Sequence, residues 1–207
     1  AKDQEKLKRG SNTWEEYNKL FTNHWDVWND HKIYNIFHQK LKKNDEGNYV
    51  KDTSAVNIMS KMNSNSPIPP FGSTEMYAIS PNGEQVTFTA VDTKNEEVNT
   101  NWRTYLVRKI GEDPKDIVTL EQQEKTFIGR TQNPQFSPDG KRVFFQALLR
   151  PGLESDFLYL ASYDIENQTY VKHTVSWDYS VGDYLIYNNK CLFTVDYDGN
   201  TELFSIT

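Results

Sequence analysis

The chain has 207 residues and a formal net charge of −6, with 25% charged and 14% aromatic residues. That is the composition of a globular chain with a core, not of a disordered one. The acidic balance argues against nucleic acid as a partner, and no apolar run is long enough to predict a membrane span.

Residues Ala1 to Arg9 are charged and carry no apolar core of a signal peptide. Cys191 is the only cysteine, so no internal disulfide is expected; the compartment stays open, leaning to the cytoplasm. Thr13-Trp14-Glu15-Glu16 has capping-box spacing and predicts a short helix over Trp14 to Asn23. Trp14, Tyr17, Leu20 and Phe21 would form its apolar face. Ile33 to Leu41 reads as a strand, Asn44-Asp45-Glu46-Gly47 as a hairpin turn, and Tyr49-Val50-Lys51 as the returning strand. The prolines of Pro67-Ile68-Pro69-Pro70 rule out a central strand there.

A repeat follows. Ile79-Ser80-Pro81-Asn82-Gly83-Glu84-Gln85-Val86-Thr87-Phe88-Thr89-Ala90 matches Phe136 to Ala147, an offset of 137 − 80 = 57 residues. In the second copy Ser137-Pro138-Asp139-Gly140 is a tight turn, leading into the strand Arg142 to Leu148 and then Leu158 to Tyr163. A weaker third copy sets Lys190-Cys191-Leu192-Phe193-Thr194-Val195 against Lys141 to Gln146, an offset of 190 − 141 = 49. Repeats of a few short strands at this spacing are the signature of propeller blades.

The expected fold is therefore all-β with one short N-terminal helix: a partial β-propeller of antiparallel blades, part of a larger propeller. Its segments are a helix and partial blade over 14–60, blades over 75–120 and 133–175, and an incomplete blade over 180–207. The first full blade would have strands at Thr104 to Arg108 and Ile117 to Leu120, and the second an outer strand at Tyr170 to Val175. The incomplete blade should turn at Asp198-Gly199-Asn200 and present an open edge through Cys191 to Ile206. Leu192, Phe193, Leu203 and Phe204 would be the residues through which it self-associates, since alternate ones must face a missing neighbour.

No nucleophile elbow exists. The nearest approach to Gly-x-Ser-x-Gly is Asp178-Tyr179-Ser180-Val181-Gly182, with Asp where the first Gly must stand, so Ser180 is read as an ordinary serine. His24, His31 and His38 are spaced by seven but lack zinc-ligand companions, and no metal or cofactor is expected. Asp196-Tyr197-Asp198-Gly199-Asn200 reads as a hairpin turn, because the later Glu of a calcium loop is missing. The stretch with concentrated polar chemistry is Arg150-Pro151-Gly152-Leu153-Glu154-Ser155-Asp156. A local ion pair with Arg150 is the plain reading; the sharper one has Glu154, with Arg150 and Asp156, binding a peptide's ammonium group. Phe71, Trp102 and Trp177 are read as channel or core aromatics, the core being the commoner case.

Four stretches carry a resemblance: Trp14 to Trp28, Ser137 to Gly140, Arg150 to Asp156, and Trp177-Asp178-Tyr179-Ser180-Val181. Together the chain resembles the amino-terminal propeller of prolyl-oligopeptidase-family serine peptidases, in the dipeptidyl-peptidase V and acylaminoacyl-peptidase branch. It departs from that pattern at Leu153 and Tyr179, where Phe and Arg would be expected. The resemblance implies that a separate α/β-hydrolase domain carries the Ser-Asp-His triad and would be this propeller's partner. The propeller itself would gate entry and help hold the peptide's amino terminus, without hydrolysing anything. The rivals are a stand-alone propeller serving as a protein-binding scaffold and a lectin-like scaffold.

Overall fold

The computed structural model describes Tyr17 and residues 22–28, 32–92, 100–117, 129–188 and 190–207. The chain divides into two compact units, Ala1–His31 and Lys32–Thr207. In the first unit, β1 (Asn23–His24) pairs antiparallel with β2 (Val27–Trp28). The helix expected over Trp14 to Asn23 lies mostly outside the described residues. Its last position, Asn23, is in a strand, and the side-chain amide of Asn23 donates to Trp25 O at 3.1 Å across the turn.

The second unit begins with short pieces: β3 (Phe37–His38), β4 (Leu41–Lys43), β5 (Tyr49–Lys51), β6 (Val56–Asn57) and β7 (Ser64–Asn65). β4 and β5 form the hairpin expected around Asn44. Asn44 Oδ1 accepts from the N–H groups of Glu46 at 3.1 Å and Asn48 at 2.9 Å, which is why Asn suits this position. The single strand expected over Ile33 to Leu41 is replaced by β3 and the start of β4, because β3 pairs with β6 while β4 pairs with β5.

Three antiparallel sheets follow. The first joins β8 (Tyr77–Ile79), β9 (Val86–Asp92), β10 (Arg103–Val107) and β11 (Lys115–Asp116), with β7 extending the β8 side of β9. The strand expected over Ile117 to Leu120 begins earlier, at Lys115, and residues 118–120 lie outside the described set. The second sheet is β12 (Thr131–Phe136), β13 (Arg142–Ala147), β14 (Tyr159–Asp164) and β15 (Thr169–Lys172), in sequence order. The third is β16 (Tyr184–Tyr187), β17 (Lys190–Tyr197) and β18 (Asn200–Ile206). The β17–β18 hairpin turns on Asp198 and Gly199, with φ of 48° and 78°, the positive pair that a two-residue hairpin requires.

The repeat seen in the sequence is reproduced bond for bond. In the second sheet Ser137 N–H donates to Arg142 O at 2.9 Å and Gly140 N–H to Ser137 O at 2.8 Å. Ser137 Oγ donates to Asp139 Oδ1 at 2.6 Å and accepts from Arg142 N–H at 2.9 Å, and Lys141 N–H donates to Asp139 Oδ1 at 3.0 Å. In the first sheet Ser80, Asn82, Gly83, Glu84 and Gln85 make the same five bonds, at 2.9, 2.8, 2.6, 2.9 and 3.1 Å. The two turns are neighbours: a Cβ on Gly140 would stand 3.6 Å from Pro81 Cδ.

The sheets stack face to face because every second side chain of a strand points the same way. Val143, Phe145, Ala147, Ala161 and Tyr163 of the second sheet pack against Leu106 and Ile117 of the first. The opposite face supplies Leu160 and Phe144 to a second core with Tyr184, Cys191, Phe193 and Val195 of the third sheet. The outer face of the first sheet, through Val86, Phe88, Ala90 and Val107, is covered by Ile58 and Met59. Consecutive antiparallel meanders in face-to-face contact are the arrangement of propeller blades.

Two sequence expectations shift here. Cys191, Phe193 and Val195 face the preceding sheet as Val143, Phe145 and Ala147 do. The structural offset is therefore 191 − 143 = 48, not 49, and one residue of slip exchanges the two faces of a strand. Phe193 and Phe204 accordingly face the core, although Phe204 lies on the edge strand β18. Phe193 is buried, and Phe204 packs edge-on to Trp177 with ring centroids 4.9 Å apart. The outward residues are Leu203, 71% exposed, and its exposed neighbours Leu185 and Tyr187.

Candidate functional site

The loop joining β13 to β14 holds the charged stretch. Gly152 takes φ of +73°, and its N–H donates to Thr100 Oγ1 at 3.1 Å, which ties the loop to the preceding sheet. Asp156 is buried. Its Oδ2 accepts the backbone N–H groups of Leu149 at 3.1 Å and Arg150 at 3.0 Å. Its Oδ1 accepts Arg150 Nε at 3.0 Å and Nη2 at 2.6 Å. Burial opposes the charge on Asp156, but the Arg150 side-chain and backbone hydrogen bonds outweigh it and hold the carboxyl below the usual carboxylate range. Both oxygens are occupied, so the pair fastens the loop.

Glu154 is exposed at the tip of the same loop. Its carboxylate acts on Arg130, whose guanidinium lies over the Trp102 ring at 4.5 Å. Burial lowers the Arg130 pKa and Glu154 counters it. Trp102 also packs on Ile68, Met76 and Val91. Phe71 is exposed, and Trp177 belongs to the core between the second and third sheets.

Beside this loop, between the second and third sheets, lies a cleft of about 600 Å³. The loop lends it Phe157 and Leu158, while Arg150, Glu154 and Asp156 do not line it. Its floor comes from an irregularity in β12. Pairing with β13 shifts between Gln132 and Gln135, where Asn133 adopts φ of +52° ahead of Pro134. Asn tolerates that region better than most residues, and Pro removes a ladder donor, so the pair suits a bulge.

The bulge swings two amides onto Gln146, which is 2% exposed. Gln146 Oε1 accepts Gln132 Nε2 at 3.3 Å and Asn133 Nδ2 at 2.7 Å. Gln146 Nε2 donates to Val181 O at 2.8 Å and Gly182 O at 2.6 Å, joining the two sheets. Gln135 Nε2 donates to Tyr184 O at 2.8 Å, and the Tyr184 hydroxyl donates back to Asn133 O. Gly182 fits because a Cβ there would come within 2.6 Å of Thr194 Oγ1.

Asp183, Asp196, Ser180, Thr194 and Tyr179 complete the cleft. Asp196 Oδ1 accepts Thr201 Oγ1 at 2.8 Å. Gln132 Oε1 is buried and accepts no hydrogen bond. Among the described lining residues none is Lys, Arg or His, so the cleft offers carboxylate and amide acceptors beside two aromatic rings. Such a lining favours a ligand group that is cationic and donates N–H bonds. Sequence reasoning missed Gln132, Gln146, Asp183 and Asp196; only the Asn-Pro step at 133–134 marked the bulge.

Ser162 Oγ stands 2.9 Å from His173 Nε2, but Ser162 is buried in mid-strand, and this is no nucleophile. The His173 ring stacks on Phe144 at 5.6 Å; burial, with Arg142 nearby, lowers its pKa. Among the described residues no group of three or more His, Cys, Asp or Glu is placed to hold a metal ion, and His31 lies outside them.

No family model matches the chain. It is 29% identical over 167 residues to a probable dipeptidyl-peptidase 5 of Emericella nidulans, covering 79% of this chain and 23% of that protein. It is 30% identical over 207 residues to a probable dipeptidyl-peptidase 5 of Aspergillus niger, covering 92% of this chain and 28% of that one. Dipeptidyl-peptidase 5 of Aspergillus oryzae matches at 26% over 203 residues. The chain thus spans about a quarter of the length of the curated relatives it matches. A solved TolB structure from Agrobacterium tumefaciens covers 83% of this chain at 13% identity and a TM-score of 0.30, too low to bear on the fold. The protein is an all-β chain of stacked antiparallel sheets. In sequence it is related to proteins named as dipeptidyl-peptidases.

Proposed function

We propose that this chain is the non-catalytic propeller portion of a serine exopeptidase that releases short amino-terminal fragments, dipeptides or acylated amino acids, from peptides. The observation that carries this reading is the match to a dipeptidyl-peptidase 5 across 92% of the chain. The absence of a Gly-x-Ser-x-Gly stretch from these 207 residues agrees with it. The chain's part is to admit and position the peptide, for which the acceptor-lined cleft is suited: an ammonium group would meet Asp183 and Asp196 against the faces of Phe157 and Tyr179. Glu154, exposed on the neighbouring loop, is the other carboxylate able to receive that group, with Arg150 and Asp156 holding its loop in shape. The hydrolase domain of the parent protein is the partner this reading requires.

The test is direct. The isolated chain should not cleave aminoacyl or dipeptidyl chromogenic substrates, whereas a protein that continues it with a hydrolase domain should. Turnover by the pure chain, abolished by a serine-directed inhibitor, would overturn the reading.

A second reading, a protein-binding or self-associating scaffold, is favoured by one observation. The outer face of the third sheet exposes Leu185, Tyr187 and Leu203 together. On that reading Leu203→Glu reduces association in sedimentation and leaves the melting temperature unchanged. Unaltered sedimentation of an associating sample would remove this face from consideration.

A further inference from the structure

The two neighbouring turns make the same five hydrogen bonds, with Asn82, Glu84 and Gln85 in the first where the second carries Asp139, Lys141 and Arg142. Asn82 precedes Gly83, the one Asn-Gly step in the sequence, and is exposed. We propose that Asn82 is a spontaneous modification site, converting to aspartate in the folded protein, and that the fold accepts the product because Asp139 already occupies the equivalent place.

The chemistry needs only water. The backbone nitrogen of Gly83 attacks Cγ of Asn82, forming an N–Cγ bond. The Cγ–Nδ2 bond breaks, and ammonia leaves with the proton given up by the Gly83 nitrogen. Water then opens the cyclic imide. Cleavage at Cγ–N yields ordinary aspartate, and cleavage at the backbone carbonyl yields isoaspartate.

Three features of the turn favour the first step. Gly83 has no side chain to shield its nitrogen. Asn82 Oδ1 already accepts from Ser80 Oγ at 2.6 Å and Glu84 N–H at 3.1 Å, donors that draw electron density from Cγ and receive the charge that develops on that oxygen. Asn82 Nδ2 stands 3.4 Å from Glu84 Oε2, an acceptor at the position the leaving ammonia takes up. One bond opposes it: Gly83 N–H donates to Ser80 O at 2.8 Å and must release before attack. Its release is a local opening of an exposed turn, which does not require the sheets to separate.

The second turn shows what aspartate does in this frame. Asp139 Oδ1 receives the Ser137 hydroxyl and Lys141 N–H just as Asn82 Oδ1 receives its two donors. The Ser137 hydrogen bond, followed by that of Lys141 N–H, holds the Asp139 carboxyl below the usual carboxylate range. A carboxylate at position 82 finds the same two donors, Ser80 Oγ and Glu84 N–H, with the Glu84 side chain standing where Asp139 has Lys141, and the formal charge moves from −6 to −7. Isoaspartate differs: it adds a carbon to the main chain between the two ends of the Ser80 to Gln85 bond pair.

The experiment follows the folded 207-residue chain at mildly alkaline pH and body temperature by peptide mapping, with a urea-unfolded sample beside it. The expected result is an Asn82–Gly83 peptide one mass unit heavier in the folded sample. Asn82→Asp should melt within about 2 °C of the parent, since about 1 kcal/mol moves a domain of this size by that much or more. No heavier peptide from the folded chain, while the unfolded one converts, would overturn the first half of the proposal. A clear fall in the melting temperature of Asn82→Asp would overturn the second.

Discussion

The loop between β13 and β14 and the cleft beside it are both rich in polar groups, and they use them in opposite ways. In the loop, Asp156 directs both carboxylate oxygens at Arg150 and at two backbone N–H groups of the same loop. In the cleft, the amides of Gln132, Asn133 and Gln146 fasten the floor to the next sheet, while Gln132 Oε1 has no donor and Asp183 and Asp196 stand exposed at the rim. A buried, fully paired carboxylate holds a shape; exposed carboxylates over a fastened polar floor, one acceptor of which is still open, are available to a ligand. The Arg150–Asp156 pair of the conspicuous charged stretch is therefore a clasp, and the cleft proposed to bind is built from residues that look ordinary along the chain.

Breaking the clasp should have the largest effect. Asp156→Ala leaves two backbone N–H groups and a guanidinium without their acceptor, and is expected to destabilise the chain by about 2 kcal/mol. A melting curve indistinguishable from the parent would mean the loop is held by something else. Asp183→Asn should leave the melting temperature unchanged, since among the described residues its carboxylate makes no hydrogen bond or ion pair. In a peptidase containing this chain it should raise KM for free-amine peptides by about tenfold, the worth of one charge-assisted hydrogen bond. Glu154→Gln should raise that KM by less, because Arg130 already shares its charge. A larger effect at Glu154 would move the ammonium site from the cleft to the loop.

The smallest expected effect concerns His173, another polar group committed to the fold. Burial, then Arg142, lowers its folded pKa, so the folded state resists protonation more than the unfolded state does. This contribution to stability is complete above the unfolded value of about 6.5 and declines as pH falls below it, levelling off once the folded value is passed. His173→Gln should flatten that part of the stability profile. A profile unchanged between neutral and mildly acidic pH would contradict it.

The fold was legible where its signals are local. Ser-Pro-Asn-Gly and Ser-Pro-Asp-Gly specify their turns through side-chain bonds spanning five residues, so two sheets could be placed from the sequence. The Asp198-Gly199 hairpin was legible for the same reason. The third copy lacks such a turn, and without one nothing fixed its phase. The alternation along Leu192, Phe193, Leu203 and Phe204 was legible, but which alternate residues turn outward was not: Leu203 does, while Phe193 and Phe204 face the core. The cleft was not legible because it depends on a bulge that turns Gln132 and Asn133 toward Gln146, and on residues some fifty positions further along. Asp183 belongs to no motif, and Asp196 stands out in the sequence only as the start of a hairpin turn; both line the cleft because β16 and β17 return beside β12.

The proposed cleft is tested most directly by comparing KM for a free-amine peptide and for its amino-terminally blocked twin, in a peptidase that contains this chain, before and after joint replacement of Asp183 and Asp196 by Asn. The account predicts a raised KM for the free-amine peptide alone, with kcat and melting temperature unchanged. Equal effects on both peptides, or none on either, would contradict the proposal that the cleft receives a peptide's ammonium group.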